Sequence, residues 1–173
     1  MKKLGFLALI TALIFISTIH AKSEVDAANN ITLTTNKGKV IDINITQEGF
    51  IFKQYPSKTV LLNFFGPMCP PCIIEMPHLI ELQKEHKDDL QIIAVQVQMP
   101  MEDKELAAFV KKNNVNYPVV NLNDAWDIVS FVKANTNWGG QIPFMMMFDK
   151  NGNLKNQYMG VVANEKLLED MRK

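Results

Sequence analysis

The sequence predicts an α/β domain in which a βαβ unit is followed, after an intervening helical segment, by a ββα unit. Three observations predict it. Thr59–Phe65 is an apolar, β-prone run of buried-strand length, and after the Gly66-Pro67-Met68 break a helical pattern begins. Phe144–Phe148 is a second apolar run, followed at once by Asn151-Gly152, a strong hairpin signal. Helical spacing then returns over residues 164–171.

The elements follow in order. Residues 31–34 and 39–45 alternate apolar with polar around Asn36-Lys37-Gly38, the pattern of a half-solvated hairpin. After the strand at 59–65, a helix over about 69–87 places Ile73, Met76, Leu79, Ile80 and Leu82 at helical spacing. Pro77 falls inside it, which predicts a kink because the apolar pattern continues beyond; a helix ending there is the alternative. Residues 90–97 read as a second strand, and 102–114 as a helix with Leu106, Phe109 and Val110 facing inward. A short extended segment over 117–121 precedes a helix over 124–134 that carries Trp126, Ile128, Val129 and Val132. The strand at 144–148, its partner at 153–160 and the last helix complete the chain, with no internal repeat or low-complexity stretch.

At 173 residues the chain holds one domain, expected over 31–173, plus a short front segment. Lys2 and Lys3 precede an apolar stretch from Leu4 to Ile19, with a cleavage site after Ala21. Residues 1–21 are therefore expected to be an export signal, with the polar residues 22–30 as a tether. The bulky Ile19 departs from the small-residue cleavage pattern, so an uncleaved membrane anchor is the alternative, although sixteen residues is short for a spanning helix. Either way Lys2 and Lys3 stay cytoplasmic and the rest is exported, to the periplasm or another extracytoplasmic space. No cysteine lies near residue 21 for lipid attachment. Without the leader, 16 basic residues face 18 acidic ones, Arg172 is the single arginine, and no run of lysines occurs. That excludes a nucleic-acid surface. The remaining length can bury a real core, so a disulfide is not needed as a staple.

The chemistry lies in Cys69-Pro70-Pro71-Cys72, which contains the only two cysteines. Thiols three residues apart at a helix start can close a short disulfide, and the first lies where a helix end stabilises a thiolate. A structural crosslink and half of a zinc site are the alternatives; zinc would need two more ligands, and no second cysteine pair exists. Cys69, at the exposed helix start, is the expected attacking thiol, and Cys72, one turn in and more buried, the resolving one. If Cys69 is the N-cap, Pro70 and Pro71 occupy the first two helical positions and supply no N–H. The Cys69 thiolate then keeps only the Cys72 N–H and the helix dipole, which favours a reducing couple. Glu75 lies three residues beyond Cys72 on the same helix face. Partial burial would raise its pKa and let it exchange a proton with Cys72; a first-turn glutamate favoured by the helix dipole is the alternative.

This order, with Cys-x-x-Cys after the first core strand and Ile142-Pro143 at the head of a later one, resembles the thioredoxin fold over about residues 31–173. Within that fold the chain looks most like the TlpA/ResA/CcmG group of exported thiol-disulfide oxidoreductases. Four details carry the resemblance: Asn63 six residues before Cys69, Glu75-Met76-Pro77 after Cys72, the N-terminal hairpin, and the extra segment between the second strand and Pro143. The resemblance implies a cis bond before Pro143, which would expose the Ile142 backbone beside the cysteines so that an incoming peptide pairs with it like an added strand. It also implies a membrane thiol carrier as electron donor and protein disulfides as substrates, the Cys-x-x-Cys-His haem site of apocytochrome c among them. Met68 stands where Trp usually precedes the first cysteine, Phe65 at another frequent Trp position, and Phe144 where Thr commonly follows the proline. These departures surround the cleft and put the partner's identity in doubt.

We therefore expect an exported, monomeric thiol-disulfide reductant with no cofactor beyond the Cys69–Cys72 disulfide and no bound metal. A general disulfide oxidase or isomerase is the rival among enzymes, but the stretch from Cys72 to Pro143 is short for the helical insertion of DsbA-like oxidases and no dimerisation domain is present. A peroxidase would want Thr or Ser three residues before Cys69. The rival from another class is a copper-binding chaperone, with Cys69, Cys72 and a histidine or methionine as ligands. His78 and His86 read as surface or rim residues, and Met145, Met146 and Met147 must alternate sides in a strand, so core filling suits them better. Trp138 is expected either to flank the cleft or simply to pack.

Overall fold

The computed structural model describes residues 30–173; the expected leader and residues 22–29 of the expected tether lie outside the described residues. Among the described residues, eight strands and four α-helices follow one another. They are β1 (Asn30–Thr34), β2 (Val40–Ile45), β3 (Phe50–Phe52), β4 (Thr59–Phe65), α1 (Pro70–Glu85), β5 (Leu90–Gln96), α2 (Asp103–Lys112), β6 (Val119–Val120), α3 (Trp126–Asn135), β7 (Phe144–Phe148), β8 (Leu154–Met159) and α4 (Asn164–Arg172). The short strand β3 was not expected. It pairs antiparallel with β2, Ile43 opposite Phe52, and turns the predicted hairpin into a three-stranded sheet.

The central sheet has the order β6-β5-β4-β7-β8. β4 pairs parallel with β5 and antiparallel with β7, so every β4 residue is buried between two strands and two covered faces. Alternation sorts the side chains. Leu62, Phe64, Ile93 and Met146 join the core shared with the three-stranded sheet and with Ile128, Val129 and Val132 of α3. Leu61, Phe65, Ile92, Met145 and Met147 join the core under α1, with Leu106 and Val110 of α2 and Leu167 of α4. The three methionines thus divide between two cores, as strand geometry requires. Trp126, at the start of α3, is 55 % exposed, while Ile128, Val129 and Val132 are buried.

The two sheets meet where turns come into close contact. The Phe50 N–H donates to the Gly152 carbonyl at 2.8 Å, and Gly152 has φ +88°. A Cβ there would collide with the Phe50 backbone, so this hairpin position needs glycine for both space and conformation. Among the described residues, no helix is long and apolar enough to cross a membrane.

Candidate active site

At the carboxyl end of β4 the chain turns sharply: the Cys69 N–H donates to the Gly66 carbonyl at 3.2 Å. Space fixes the glycine, since a Cβ on Gly66 would run into the Gln98 side chain, whose Oε1 accepts from the Met68 N–H at 2.8 Å. Gln98 thereby ties the turn to the loop after β5. Cys69 is the N-cap of α1, and Pro70 and Pro71 are its first two residues. Because neither proline has an N–H, the donor that reaches Cys69 Sγ is the Cys72 N–H, at 3.4 Å. The helix runs through Pro77 to Glu85.

Cys69 and Cys72 form a disulfide with their Cα atoms 5.3 Å apart, inside the ordinary range for such a bond. The expectation of an exposed Cys69 is corrected: it is 6 % exposed against 3 % for Cys72. Two contacts explain this. The sulfur packs in the core under α1, and it lies 3.8 Å from the Ile142 carbonyl oxygen. The Ile142-Pro143 peptide is cis, and neither the Ile142 N–H nor its carbonyl has a backbone hydrogen-bond partner among the described residues. Pro70 and Pro71, between the cysteines, are exposed. Trp138 is buried; it stacks on Phe144 (5.2 Å) and lies 4.6 Å from Phe64, and its Nε1–H donates to the Gln141 carbonyl at 2.6 Å. Trp138 therefore packs rather than flanking an open cleft, while holding the residue next to Ile142.

Glu75 is 1 % exposed in the second turn of α1; no acidic residue stands in the first turn, so helix-end electrostatics do not account for it. Its Oε1 accepts from the Val162 N–H at 2.9 Å, and its Oε2 has no partner. Desolvation pushes its pKa from 4.5 up to about 7, with the Val162 bond pulling the other way. Burial also raises the pKa of Tyr117, and the Glu75 charge adds to that shift, which places the two groups in one electrostatic neighbourhood. Asn63 faces the α1 side of the sheet, in register between Ala94 and Met145, and its Oδ1 is buried without a partner. His78 is exposed and His86 half-buried.

The chain matches the AhpC/TSA family over residues 25–170, most of its length. The chain belongs to the AhpC/TSA family. This AhpC/TSA protein is 29 % identical over 143 residues to the thiol-disulfide oxidoreductase ResA of Bacillus cereus (strain ZK / E33L), a match that covers 81 % of this chain and 72 % of that one. Among solved structures, StoA from Bacillus subtilis superposes with a TM-score of 0.60 at 19 % identity, covering 82 % of this chain and 95 % of StoA. The pneumococcal exposed lipoprotein thioredoxin Etrx1 from Streptococcus pneumoniae strain TIGR4 superposes with a TM-score of 0.65 at 19 % identity, covering 83 % and 98 %. The fold is thioredoxin-like, and with its paired cysteines this family member is a thiol-disulfide oxidoreductase of the ResA type.

Four residues around the disulfide were not assigned from the sequence: Gln98, Tyr117, Val162 and, as a support for the 141–143 loop, Trp138. Gln98, Tyr117 and Val162 act through contacts distant in sequence, such as Val162 on Glu75, 87 residues away, which no local pattern announces; Trp138 acts on Gln141, three residues on.

Proposed function

We propose that the protein is an exported reductant of protein disulfides in which Cys69 attacks and Cys72 resolves. The observation that carries this reading is the bare first turn of α1: Pro70 and Pro71 withhold two N–H groups and leave Cys69 Sγ one donor, Cys72. A thiolate so placed is stabilised less than one facing a full set of amides, and a dithiol whose reduced form is not strongly stabilised gives up electrons more readily.

The step balances as thiol–disulfide exchange. The Cys69 thiolate attacks one substrate sulfur, forms a mixed disulfide and expels the other substrate sulfur as a thiolate, which takes up a proton. Cys72 then attacks Cys69 Sγ, the Cys69–Cys72 disulfide forms, and the second substrate thiol leaves. Two electrons and two protons pass to the substrate. Glu75, three residues from Cys72 and with a pKa near 7, is close to half-ionised at neutral pH and serves as acceptor of the Cys72 proton. The N–H and carbonyl of Ile142, neither engaged by another backbone group, offer an incoming chain main-chain hydrogen bonds beside the sulfur.

A membrane thiol carrier returns the enzyme to its dithiol form, and oxidised Cys-x-x-Cys-His sites of apocytochrome c are among its substrates. The export pattern of residues 1–21 and the exposed location of Etrx1 support an extracytoplasmic setting. The test is to mix reduced protein with a synthetic peptide carrying an oxidised Cys-x-x-Cys-His site. The reading expects one peptide disulfide reduced per Cys69–Cys72 pair oxidised. A peptide that stays oxidised beside a protein that stays reduced contradicts it.

A further inference from the structure

The end of α1 remote from the cysteines borders a second concave surface. Lys84 follows Cys72 on this helix at a distance of about 18 Å along the axis. There an open cleft of about 650 Å³ is formed by the last turns of α1, the start of β5, the turn before β2 and the segment leading into β6. Its charged lining is lysine throughout, Lys39, Lys84 and Lys87, with no carboxylate among the lining residues. Among the described residues, none of the three has a carboxylate within ion-pairing distance. Lys58 brings a fourth ammonium to the edge, where its Nζ donates to the Lys87 carbonyl. A chain with 18 basic and 18 acidic residues thus gathers one sign of charge at this place.

Lys84 and Lys87 alone would be ordinary residues at a helix C-terminus, where the dipole favours cations. Lys39 is not, because it comes from the other sheet and is held in place. Its N–H donates to Thr35 Oγ1 at 3.0 Å, and its Nζ donates to the Tyr55 hydroxyl at 3.2 Å while lying 4.7 Å from the ring centroid. The Tyr55 hydroxyl accepts that bond, and its own proton has no acceptor among the described residues. Asn116 spends one amide N–H on the Ile80 carbonyl at 2.9 Å and keeps the other. The buried Gln83 braces the cleft by fixing α1 to β5. Its Oε1 accepts from the Ile92 N–H at 2.7 Å, and its amide donates to the Leu90 carbonyl at 3.0 Å.

We propose that this cleft binds a phosphate-bearing anion, a lipid headgroup or a small phosphate ester, at a site separate from the disulfide. Ammonium groups gathered without a carboxylate repel one another, and a multiply charged anion relieves that repulsion. The unspent hydrogen-bonding groups of Tyr55, Asn116 and the lysines are donors, which suits the several acceptor oxygens of a phosphate. A carboxylate is best gripped by the planar fork of arginine, and none lines the cleft; lysine meets a tetrahedral phosphate as a point charge. The volume lies within the range of small-ligand sites. Neither cysteine takes part, so the site stands or falls independently of the redox reading.

The test is calorimetric titration of the full-length protein with glycerol phosphate and with inorganic phosphate, joined to sedimentation with lipid vesicles. Saturable one-site binding is expected, weakening as ionic strength rises. Lys84→Gln and Lys87→Gln, both at exposed positions, should each weaken it about fivefold, the share of a solvent-exposed charge pair. Lys104→Gln, exposed on α2, should leave it unchanged. The apolar stretch 4–19 is common to all these proteins, so in sedimentation only the difference between parent and variants counts. With a lipid headgroup as occupant, the parent exceeds Lys84→Gln and Lys87→Gln on phosphatidylglycerol vesicles but not on phosphatidylcholine ones. With a free ester as occupant, parent and variants sediment alike while calorimetry still separates them. No saturable binding of either phosphate probe, together with no excess of the parent on phosphatidylglycerol, overturns the proposal. Binding that both lysine substitutions leave unchanged overturns it as well.

Discussion

Glu75 Oε1 accepts a hydrogen bond from the Val162 N–H at 2.9 Å, joining the second turn of α1 to the segment before α4, while its Oε2 has no partner. One oxygen is anchored and the other stays free on a buried carboxyl. The anchor opposes the upward pKa shift without cancelling it, since desolvation is the larger effect. Titration near neutrality is therefore available to this side chain at a fixed position in the core under α1.

A raised carboxyl pKa has a definite sign for stability. Between 4.5 and about 7 the folded protein keeps the Glu75 proton that the unfolded chain has lost, so stability falls as pH rises through that window. The full loss is on the order of 3 kcal/mol. Glu75→Gln keeps an acceptor for Val162 and cannot ionise. Denaturant unfolding should show it more stable than the parent at pH 8 and about equal at pH 4, and its disulfide exchange should lose the pH dependence centred near 7. Parallel stability curves for the two proteins would mean that Glu75 does not titrate in this range.

The division of labour between the cysteines is tested by trapping. Cys72→Ser should leave a Cys69 thiol that accumulates mixed disulfides with substrate peptides, and Cys69→Ser should accumulate none. Non-reducing mass spectrometry distinguishes them, and adducts on Cys72 alone would reverse the assignment. The small difference in burial between the two sulfurs makes this worth measuring, because exposure by itself does not decide the order of attack.

Trp138→Phe removes the Nε1–H bond to the Gln141 carbonyl and keeps most of the stacking on Phe144. The bond is part-buried and Gln141 is exposed, so its loss costs about 1 kcal/mol. The variant should unfold at correspondingly lower denaturant, and its exchange with peptides should slow more than its exchange with dithiothreitol, because a peptide uses the 141–143 backbone. Equal slowing of both would confine Trp138 to stability.

Much of this structure was legible because it is written in local patterns. The all-apolar run Thr59–Phe65 and the Asn151-Gly152 turn specify the sheet's centre and its hairpin, and Cys69-Pro70-Pro71-Cys72 marks the redox site without any tertiary information. β3 was missed because Phe50–Phe52 is three residues long and shows no alternation long enough to register. The near-burial of Cys69 was missed because it depends on which segment of distant sequence covers it. The Ile142 loop covers Cys69, and no window around residue 69 contains that information. Glu75 shows the boundary well: its helix face was readable, but its anchor on Val162 was not.

Pro70 controls direction in this account. Replacing it with His restores a backbone N–H at the first helical position and adds an ionisable ring near Cys69. The Cys69 pKa should fall and the potential should rise toward oxidising values, by roughly 30 mV for each tenfold change in the exchange equilibrium. Thiolate absorbance during a pH titration gives the first quantity and a glutathione equilibrium the second. A Pro70→His protein with unchanged pKa and potential would show that missing amides do not set this couple.

The central claim is that the Cys69–Cys72 pair gives electrons away, and its equilibrium reduction potential in a dithiothreitol buffer tests that most directly. The bare first turn of α1 predicts a reducing couple on the thioredoxin side of the scale, nearer to about −270 mV than to the roughly −120 mV of strong exported oxidases. A value near the oxidising end would contradict the account and make disulfide formation the function of this site.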